Sequence, residues 1–338
     1  MDTPSAAARG ADRRRCDVVI ATRNRPQGLA RVLDGLLDQT FADFGVIVVD
    51  DCSDEPLEPI VRDERFASLD VQVITLATQS GPAAGRNTGV AASDAEFVVF
   101  LDDDVVPDRH LIEIHLAAVD PAGGAARPIV SCGPFVQPAD WEDPTPWNLW
   151  EAHQAKKEAD AMSLGLYDVS WRQFHTGNNC MPIAAFRAIG GFDERFKRSE
   201  DDELAMRLHQ HGCEFVFEPN AIGWHYSRRT LDAWLYTPRA YAYFDHMMDQ
   251  LHPESGHLAT KTAELARRRL PLRLARVVLV NRRLTRWAIG AAVAASRLAH
   301  RHRRLQPVMM GALSVAYDLS YLRSLDDARH GRSELMTP

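Results

Sequence analysis

The chain has 338 residues, 46% hydrophobic and 25% charged, with a formal net charge of −7. That is enough for one large or two ordinary domains with a sizeable core, and it excludes a disordered or fibrous class. Its five cysteines are scattered, with no CxxC pair, which argues against a disulfide framework or a zinc–thiolate site and fits a reducing cytosol.

Residues 1–15, "MDTPSAAARGADRRR", have no apolar core and read as a flexible leader rather than a signal peptide. "CDVVIAT" reads as a strand. Leu29, Val32, Leu33, Leu36 and Leu37 then recur at helical spacing, with Pro26 suited to the first turn. "FGVIVVD", "VQVITL" and "AEFVVFL" read as further strands, and "GPAAGRNTGVAAS" as turn residues leading into a helix. Apolar strands alternating with helices predict an α/β fold with a mostly parallel sheet flanked by helices. Ligands of such sheets bind beyond the carboxyl ends of the strands. Three polar clusters fall there: Thr22-Arg23-Asn24, Asp50-Asp51 and Asp102-Asp103-Asp104.

Between Ala139 and Phe174 the pattern breaks down. "DWEDPTPWNLWEAHQ" reads either as a lid over a site or as satellite packing of its tryptophans. "MPIAAFRAIGGF" predicts a short helix ended by its glycine pair. "SEDDELAMRLHQHG" predicts a helix capped by Ser199, with acids in its first turn and Gly212 at its end. "CEFVFEP" is another strand, and "GWHYSRR" follows it. From Thr230 onward the chain reads as mainly helical. "WAIGAAVAAS" is too short to span a bilayer. From Leu265 to Tyr317 there are twelve arginines and no Asp or Glu. Such a run is either a set of solvated helix faces or a surface for an anionic partner such as a membrane.

The chemistry sits at the strand ends. Asp102 and Asp104, two residues apart after a buried strand, can reach one hard cation, which offsets their mutual repulsion. Acids that simply face solvent are the bland alternative. Among Glu200, Asp201, Asp202 and Glu203, one carboxylate at the helix start can serve as a general base, although acids there also suit the helix dipole. His225 is a metal-ligand type, although a lone histidine is more often structural. Arg86 and Asn87 lie in a glycine-flanked segment suited to phosphate oxygens. No G-x-G-x-x-G follows the first strand, and no P-loop or G-x-S-x-G motif occurs, which disfavours dehydrogenase, NTPase and hydrolase readings. Nucleic-acid motifs are absent too, and the basic stretch carries only Trp287 among its arginines. No nucleic-acid partner is expected.

Taken in order, "VVIATRNRP", "VIVVDDCSDE", "GPAAGRNTGVAASDAEFVVFLDDDVVPD" and "TGNNCMPIAAFRAIGGFDERF…SEDDELAMRLHQHG" resemble the family 2 glycosyltransferases of GT-A fold, over roughly Asp17 to Ser227. The resemblance implies a Rossmann-like, nucleotide-sugar-binding domain over 16–229. Its nucleotide half would cover about 16–106 and its acceptor half about 107–229, with a helical region over 230–338. It implies an inverting, metal-dependent sugar transfer of hexosyltransferase type. The donor would be a nucleotide diphosphate sugar, UDP by default with dTDP or GDP as alternatives, and the acceptor a hydroxyl.

Thr22, Arg23, Asn24 and Asp51 would hold the base and ribose, with Asp50 and Gly81 nearby and Arg86 and Asn87 toward the base or diphosphate. Asp102 would face ribose and metal. Asp104 would ligate Mn²⁺ or Mg²⁺ in a DXD-type motif, with His225 as a further ligand. Asp103 would turn away from the metal or touch sugar. Asp201 would be the base beside Glu200, with Asp202 as its competitor. Gly177, Asn178 and Asn179 would meet donor sugar or acceptor.

"VVFLDDDVV" also resembles the motif of haloacid-dehalogenase phosphatases, with Asp102 as nucleophile, but that motif opens its own fold and leaves "GRNTG" and "SEDDEL" unexplained. A non-catalytic sugar-binding protein is the other alternative. The acceptor is open among a glycan, a lipid-linked molecule and a small natural product. The expected location is cytoplasmic. Peripheral contact with the inner membrane face is an alternative, with the arginines opposite Leu270, Leu272, Leu274, Val277, Val278 and Leu279. The sequence leaves the oligomeric state open.

Overall fold

The computed structural model describes residues 14–122, 124–166, 168–267 and 281–333. Residues 1–13 of the expected leader, and the apolar set from Leu270 to Leu279, lie outside them. The chain divides into two compact units. One comprises the described residues of Met1–Asp140 with Ala155–Tyr226, the other Trp141–Gln154 with the described residues of Ser227–Pro338.

The first unit is built on strands β1 (Cys16–Thr22), β2 (Phe44–Asp50), β3 (Val71–Thr75), β4 (Phe97–Asp102), β5 (Val105–Pro107), β6 (Ile129–Cys132), β7 (Phe135–Val136), β8 (Asn178–Pro182), β9 (Glu214–Phe217) and β10 (Gly223–His225). Seven of them form one sheet in the order β3-β2-β1-β4-β8-β6-β9. β3, β2, β1 and β4 are mutually parallel, β8 runs antiparallel to both β4 and β6, and β6 is parallel to β9. The parallel strands therefore end at one edge of the sheet, and Thr22, Asp50 and Asp102 are their last residues. β5, β10 and β7 form a small second sheet.

The intervening helices are α1 (Pro26–Leu37), α2 (Glu58–Val61), α3 (Pro82–Ala92), α4 (Leu111–Val119), α5 (Pro146–Ser163), α6 (Ile183–Ala188) and α7 (Glu200–Gln210). Helix α1 begins at Pro26, whose missing N–H is harmless in a first turn. It buries Leu29, Val32, Leu33 and Leu36 against Val18, Ile20, Val46 and Val48. Each such side chain contributes roughly 1.5–3 kcal/mol.

The second unit holds α8 (Leu231–Leu251), α9 (His257–Arg267), α10 (Arg282–His300) and α11 (Gln306–Arg329), together with the start of α5. Thr230 caps α8 by accepting from the Ala233 N–H. Trp147 and Trp150 pack with Trp234, Val293, Met309 and Leu313. The Trp150 and Trp234 rings meet edge-on at 5.4 Å, and the Trp150 indole donates to Ser314 Oγ at 2.9 Å. Of the two readings of "DWEDPTPWNLW", satellite packing is the one these two tryptophans follow. The buried Asp245 carboxylate accepts from Tyr321 at 2.7 Å and is paired with His257 at 3.0 Å and Lys261 at 2.9 Å, so a charged group inside a helical core is fully compensated. Among the described residues no helix is long and apolar enough to cross a membrane.

Candidate active site

The apolar run of β4 stops at Asp102, and the chain turns at Asp103 and Asp104 before β5. Three cationic or ionisable groups answer the three carboxylates. Asp102 accepts from Arg86 at 2.8 Å. Asp103 and Asp104 share Arg25, at 2.9 and 2.8 Å. His225 Nε2 lies 3.5 Å from Asp104 Oδ1. The small sheet fixes that last pair: His225 stands opposite Val105, and the Tyr226 N–H donates to the Asp104 carbonyl at 2.8 Å. Burial alone would raise the Asp104 pKa, but the His225 imidazole and the Arg25 guanidinium hold its carboxyl well below the usual range. Asp103 goes the other way. Burial pushes it up to about 6, against the pull of Arg25, and its Oδ2 accepts from Thr22 Oγ1 at 2.7 Å. Strand alternation suggests Asp102 and Asp104 as one pair with Asp103 apart. In the structure Asp103 and Asp104 share Arg25 and Asp102 bonds Arg86, since β4 ends at Asp102 and the chain turns there.

Arg86 extends this cluster to the acidic helix. It is buried, and its second terminal nitrogen donates to Glu200 at 2.9 Å. Burial would lower its pKa, but the Asp102 and Glu200 carboxylates raise it. Helix α7 starts with Glu200, and the next residue, Asp201, faces His175. The Nδ1 of His175 is 3.8 Å from Asp201 Oδ2, and its Nε2 is 3.3 Å from Glu158. Against the effect of burial, the two carboxylates raise His175 well above its ordinary value, and His175 in turn lowers Asp201. Glu200 is raised, first by burial and then by the neighbouring Asp201 charge. Ser199 departs from the expected cap. It occupies the N-cap position, but its backbone is left-handed (φ 55°), and its side chain makes no cap bond. A capping hydroxyl needs the extended conformation.

Phe135 links the two ends of the site. Its ring lies 5.4 Å from the His225 ring and 6.3 Å from the His175 ring. Gly177 stands beside it, and a Cβ there would come within 2.5 Å of Asp102 Oδ2 and 3.1 Å of Phe135.

The other predicted residues hold the surrounding loops. Asp51 accepts from the N–H groups of Ser80 and Gly81 at 2.6 and 2.9 Å. Gly81 itself turns at φ +92° to open α3. Asp50 accepts from Ser53 Oγ at 2.5 Å. Asn24 bonds Ser53 and Asp54, and Arg23 donates to the Cys52 carbonyl at 3.4 Å. Arg86 and Asn87 lie on helix α3, past the turn residues that open it. The amide of Asn87 is taken up by Phe192 and Glu194. Asn178 is wholly buried and bonds the Pro134 and Ala221 carbonyls and the neutral His115. Its side-chain amide is therefore taken up within the protein, although its backbone lies opposite Leu101, next to Asp102. Asn179 donates to the His175 carbonyl at 3.0 Å. Its Oδ1 and the Thr176 hydroxyl are buried and have no hydrogen-bond partner among the described residues.

Sequence reasoning passed over Arg25, His175, Glu158 and Phe135. Arg25 had a signal, since three adjacent carboxylates call for a nearby cation and "TRNRP" supplies two arginines at a neighbouring strand end. The other three had none, because tertiary structure alone brings them together.

Residues 17–162 match the family described as Glycosyl transferase family 2. The chain belongs to glycosyltransferase family 2. Among its family relatives, a pre-mycofactocin glycosyltransferase from Mycobacterium tuberculosis is 34% identical over 238 residues, covering 67% of this chain and 46% of the relative. A validoxylamine A glucosyltransferase from Streptomyces hygroscopicus is 32% identical over 230 residues, covering 61% of this chain and 54% of the relative. The chain thus spans about half the length of these curated relatives. In structure this family 2 chain is similar to the mannosyltransferase PcManGT from Pyrobaculum calidifontis in complex with GDP-Man and Mn²⁺. The TM-score is 0.59, with 18% identity and 96% and 89% of the two chains covered. It is also similar to S. aureus TarS 1–349 in complex with UDP, with a TM-score of 0.50, 18% identity and 94% and 92% covered. The fold is that of the GT-A glycosyltransferases.

Proposed function

We propose that this chain transfers a hexosyl unit from a nucleotide diphosphate sugar to an acceptor hydroxyl by a single inverting displacement, with Asp201 as general base. The observation that carries the reading is the position of Arg86, bonded at once to Asp102 of the strand-end cluster and to Glu200, the residue before Asp201. Two acidic clusters distant in sequence thereby belong to one site.

Thr22, Arg23, Asn24, Asp50, Asp51 and Gly81 are assigned to the nucleotide side, with UDP as the default base and GDP or dTDP as alternatives. The TarS and PcManGT complexes, with UDP and with GDP-Man and Mn²⁺, support a nucleotide donor. Carboxylate oxygens with an imidazole nitrogen beside them are a donor set suited to Mn²⁺ and, less well, to Mg²⁺. Asp104 and His225, 3.5 Å apart, would hold the ion, with Asp102 completing the set, and Arg25 pairs with Asp103 and Asp104 beside them. A divalent ion bound there supplies charge that stabilises the departing diphosphate.

The protein's own groups do the rest. Asp201, kept ionised by His175, accepts the proton of the acceptor hydroxyl. That oxygen bonds to the anomeric carbon as the bond to the diphosphate breaks and its electron pair leaves with the diphosphate. Arg86 holds Glu200 and Asp102 in place. Gly177 leaves room beside Asp102, and Asn179 and Thr176 offer buried polar atoms on the sugar or acceptor side. A cytoplasmic site of action, with peripheral membrane contact through the arginine-rich helices, belongs to the same reading. The test is a transfer assay over a panel of nucleotide sugars and hydroxyl acceptors, with and without Mn²⁺. Metal-dependent release of nucleotide diphosphate, coupled to a product of inverted anomeric configuration, is expected. Product of retained configuration would refute the single displacement.

A further inference from the structure

We propose that the outward face of α10 docks on an anionic membrane surface, with Trp287 as its most exposed apolar anchor. Helix α10 turns Thr285, Val293, Ser296 and Ala299 into the second unit. A helix of this kind normally presents polar residues on the opposite side. Here that side carries Leu284, Trp287, Ala291, Ala294 and Leu298, spaced alternately three and four residues apart, so that they form one stripe. Leu284 is 50% exposed, Trp287 78% and Leu298 64%. A tryptophan this open is unusual on a surface that meets only water.

The charge beside the stripe selects the partner. Arg283, Arg286, Arg297 and Arg301 are all exposed and fall along one margin of it. Arg297 leans over the Trp147 ring at 5.7 Å, which leaves Arg283, Arg286 and Arg301 as the guanidinium groups best placed to meet a partner. The stretch from Leu265 to Tyr317 contributes no Asp or Glu of its own, and the acid that reaches this helix from α11, Asp327, is bonded to Arg282 at 2.7 Å. A second copy of the same face would set arginine against arginine, which disfavours a symmetric helix pair. An apolar stripe that carries a tryptophan and is bordered by arginines matches a lipid interface, where the indole sits at headgroup level and the guanidinium groups meet phosphate. The exposed Leu305 and Val308, just after α10, extend the apolar character along the chain.

The full chain is floated with vesicles of phosphatidylcholine alone and with vesicles containing about one-third phosphatidylglycerol, at low and high salt. Binding to the anionic vesicles only, weakened by salt, is expected. The triple variant Arg283→Glu/Arg286→Glu/Arg301→Glu should reduce the bound fraction at least about tenfold. Trp287→Ser should weaken binding and remove the blue shift of tryptophan emission that vesicles induce. All four positions are exposed, and unchanged thermal midpoints would show that the variants fold. Absence of wild-type flotation with anionic vesicles at low salt overturns the proposal, as does equal binding by the variants. Association with nucleic acid, or a dimer abolished by Trp287→Ser, in place of vesicle binding overturns it too.

Discussion

Arg86 on α3 donates to Glu200 at the head of α7 across 2.9 Å, with both side chains buried. A buried pair of this kind contributes little net stability but becomes costly when one partner is lost. Arg86→Met should therefore destabilise the protein by about 3–5 kcal/mol. Adding Glu200→Gln should recover part of the loss, since the remaining buried charge then disappears. Urea unfolding of the two single variants and the double variant measures the coupling. Simple additivity would mean that the two groups do not interact.

Asp201→Asn keeps the shape of the side chain and removes its basicity. Transfer should fall by about 10²-fold or more, as expected for loss of a general base, while donor binding stays within about twofold. Asp202→Asn should leave most of the rate. Kinetics of both variants with saturating donor distinguish the two carboxylates. The reverse order of effects would move the base to Asp202.

His175 makes the proposed base site at Asp201 pH-sensitive in two ways. Its folded pKa stands above the ordinary 6.5. The stability it draws from Asp201 and Glu158 is therefore full below about pH 6.5 and is lost as pH rises through the folded value. The gap in unfolding free energy between wild type and His175→Gln should shrink accordingly on going from about pH 6 to pH 9. In the activity profile the sign reverses. Without the imidazolium, Asp201 regains a higher pKa, so the acid limb should move to higher pH.

Gly177→Ala places a methyl group where Asp102 Oδ2 and the Phe135 ring already stand. Asp102 must shift, and Mn²⁺-dependent nucleotide binding should weaken by about tenfold or more. Calorimetric titration of nucleotide with and without Mn²⁺ checks this, with the thermal midpoint as a control for general damage.

Much of the scaffold is legible in the sequence because it rests on local periodicity. Leu29, Val32, Leu33 and Leu36 repeat at helical spacing, and the strands before Thr22, Asp50 and Asp102 are unbroken apolar runs. Helix α5 is not legible in this way, since its buried residues cluster in its first turns and the remainder is polar. The strand-end carboxylates announce themselves as a run of like charges. What they bond to does not: Arg25 lies 78 residues from Asp103, and Glu200 lies 114 from Arg86. The amides of Asn87 and Asn178 show the converse. Their motif context suggests ligand contacts, while the structure spends them on the loop at Phe192 and on the carbonyls of Pro134 and Ala221. A side chain's type constrains its chemistry, but only the fold decides which partner takes it up.

The central claim is that the β4 carboxylates and the α7 acids together serve a nucleotide diphosphate sugar. Thermal unfolding of the full chain with UDP, GDP and dTDP and their sugars, each with and without Mn²⁺, tests it most directly. One nucleotide should raise the unfolding midpoint in a metal-dependent way, with about 2.7 kcal/mol of added stability at a hundredfold excess over Kd. Asp104→Asn should remove most of that metal-dependent shift. No shift with any nucleotide, or one indifferent to metal and to Asp104, would contradict the account.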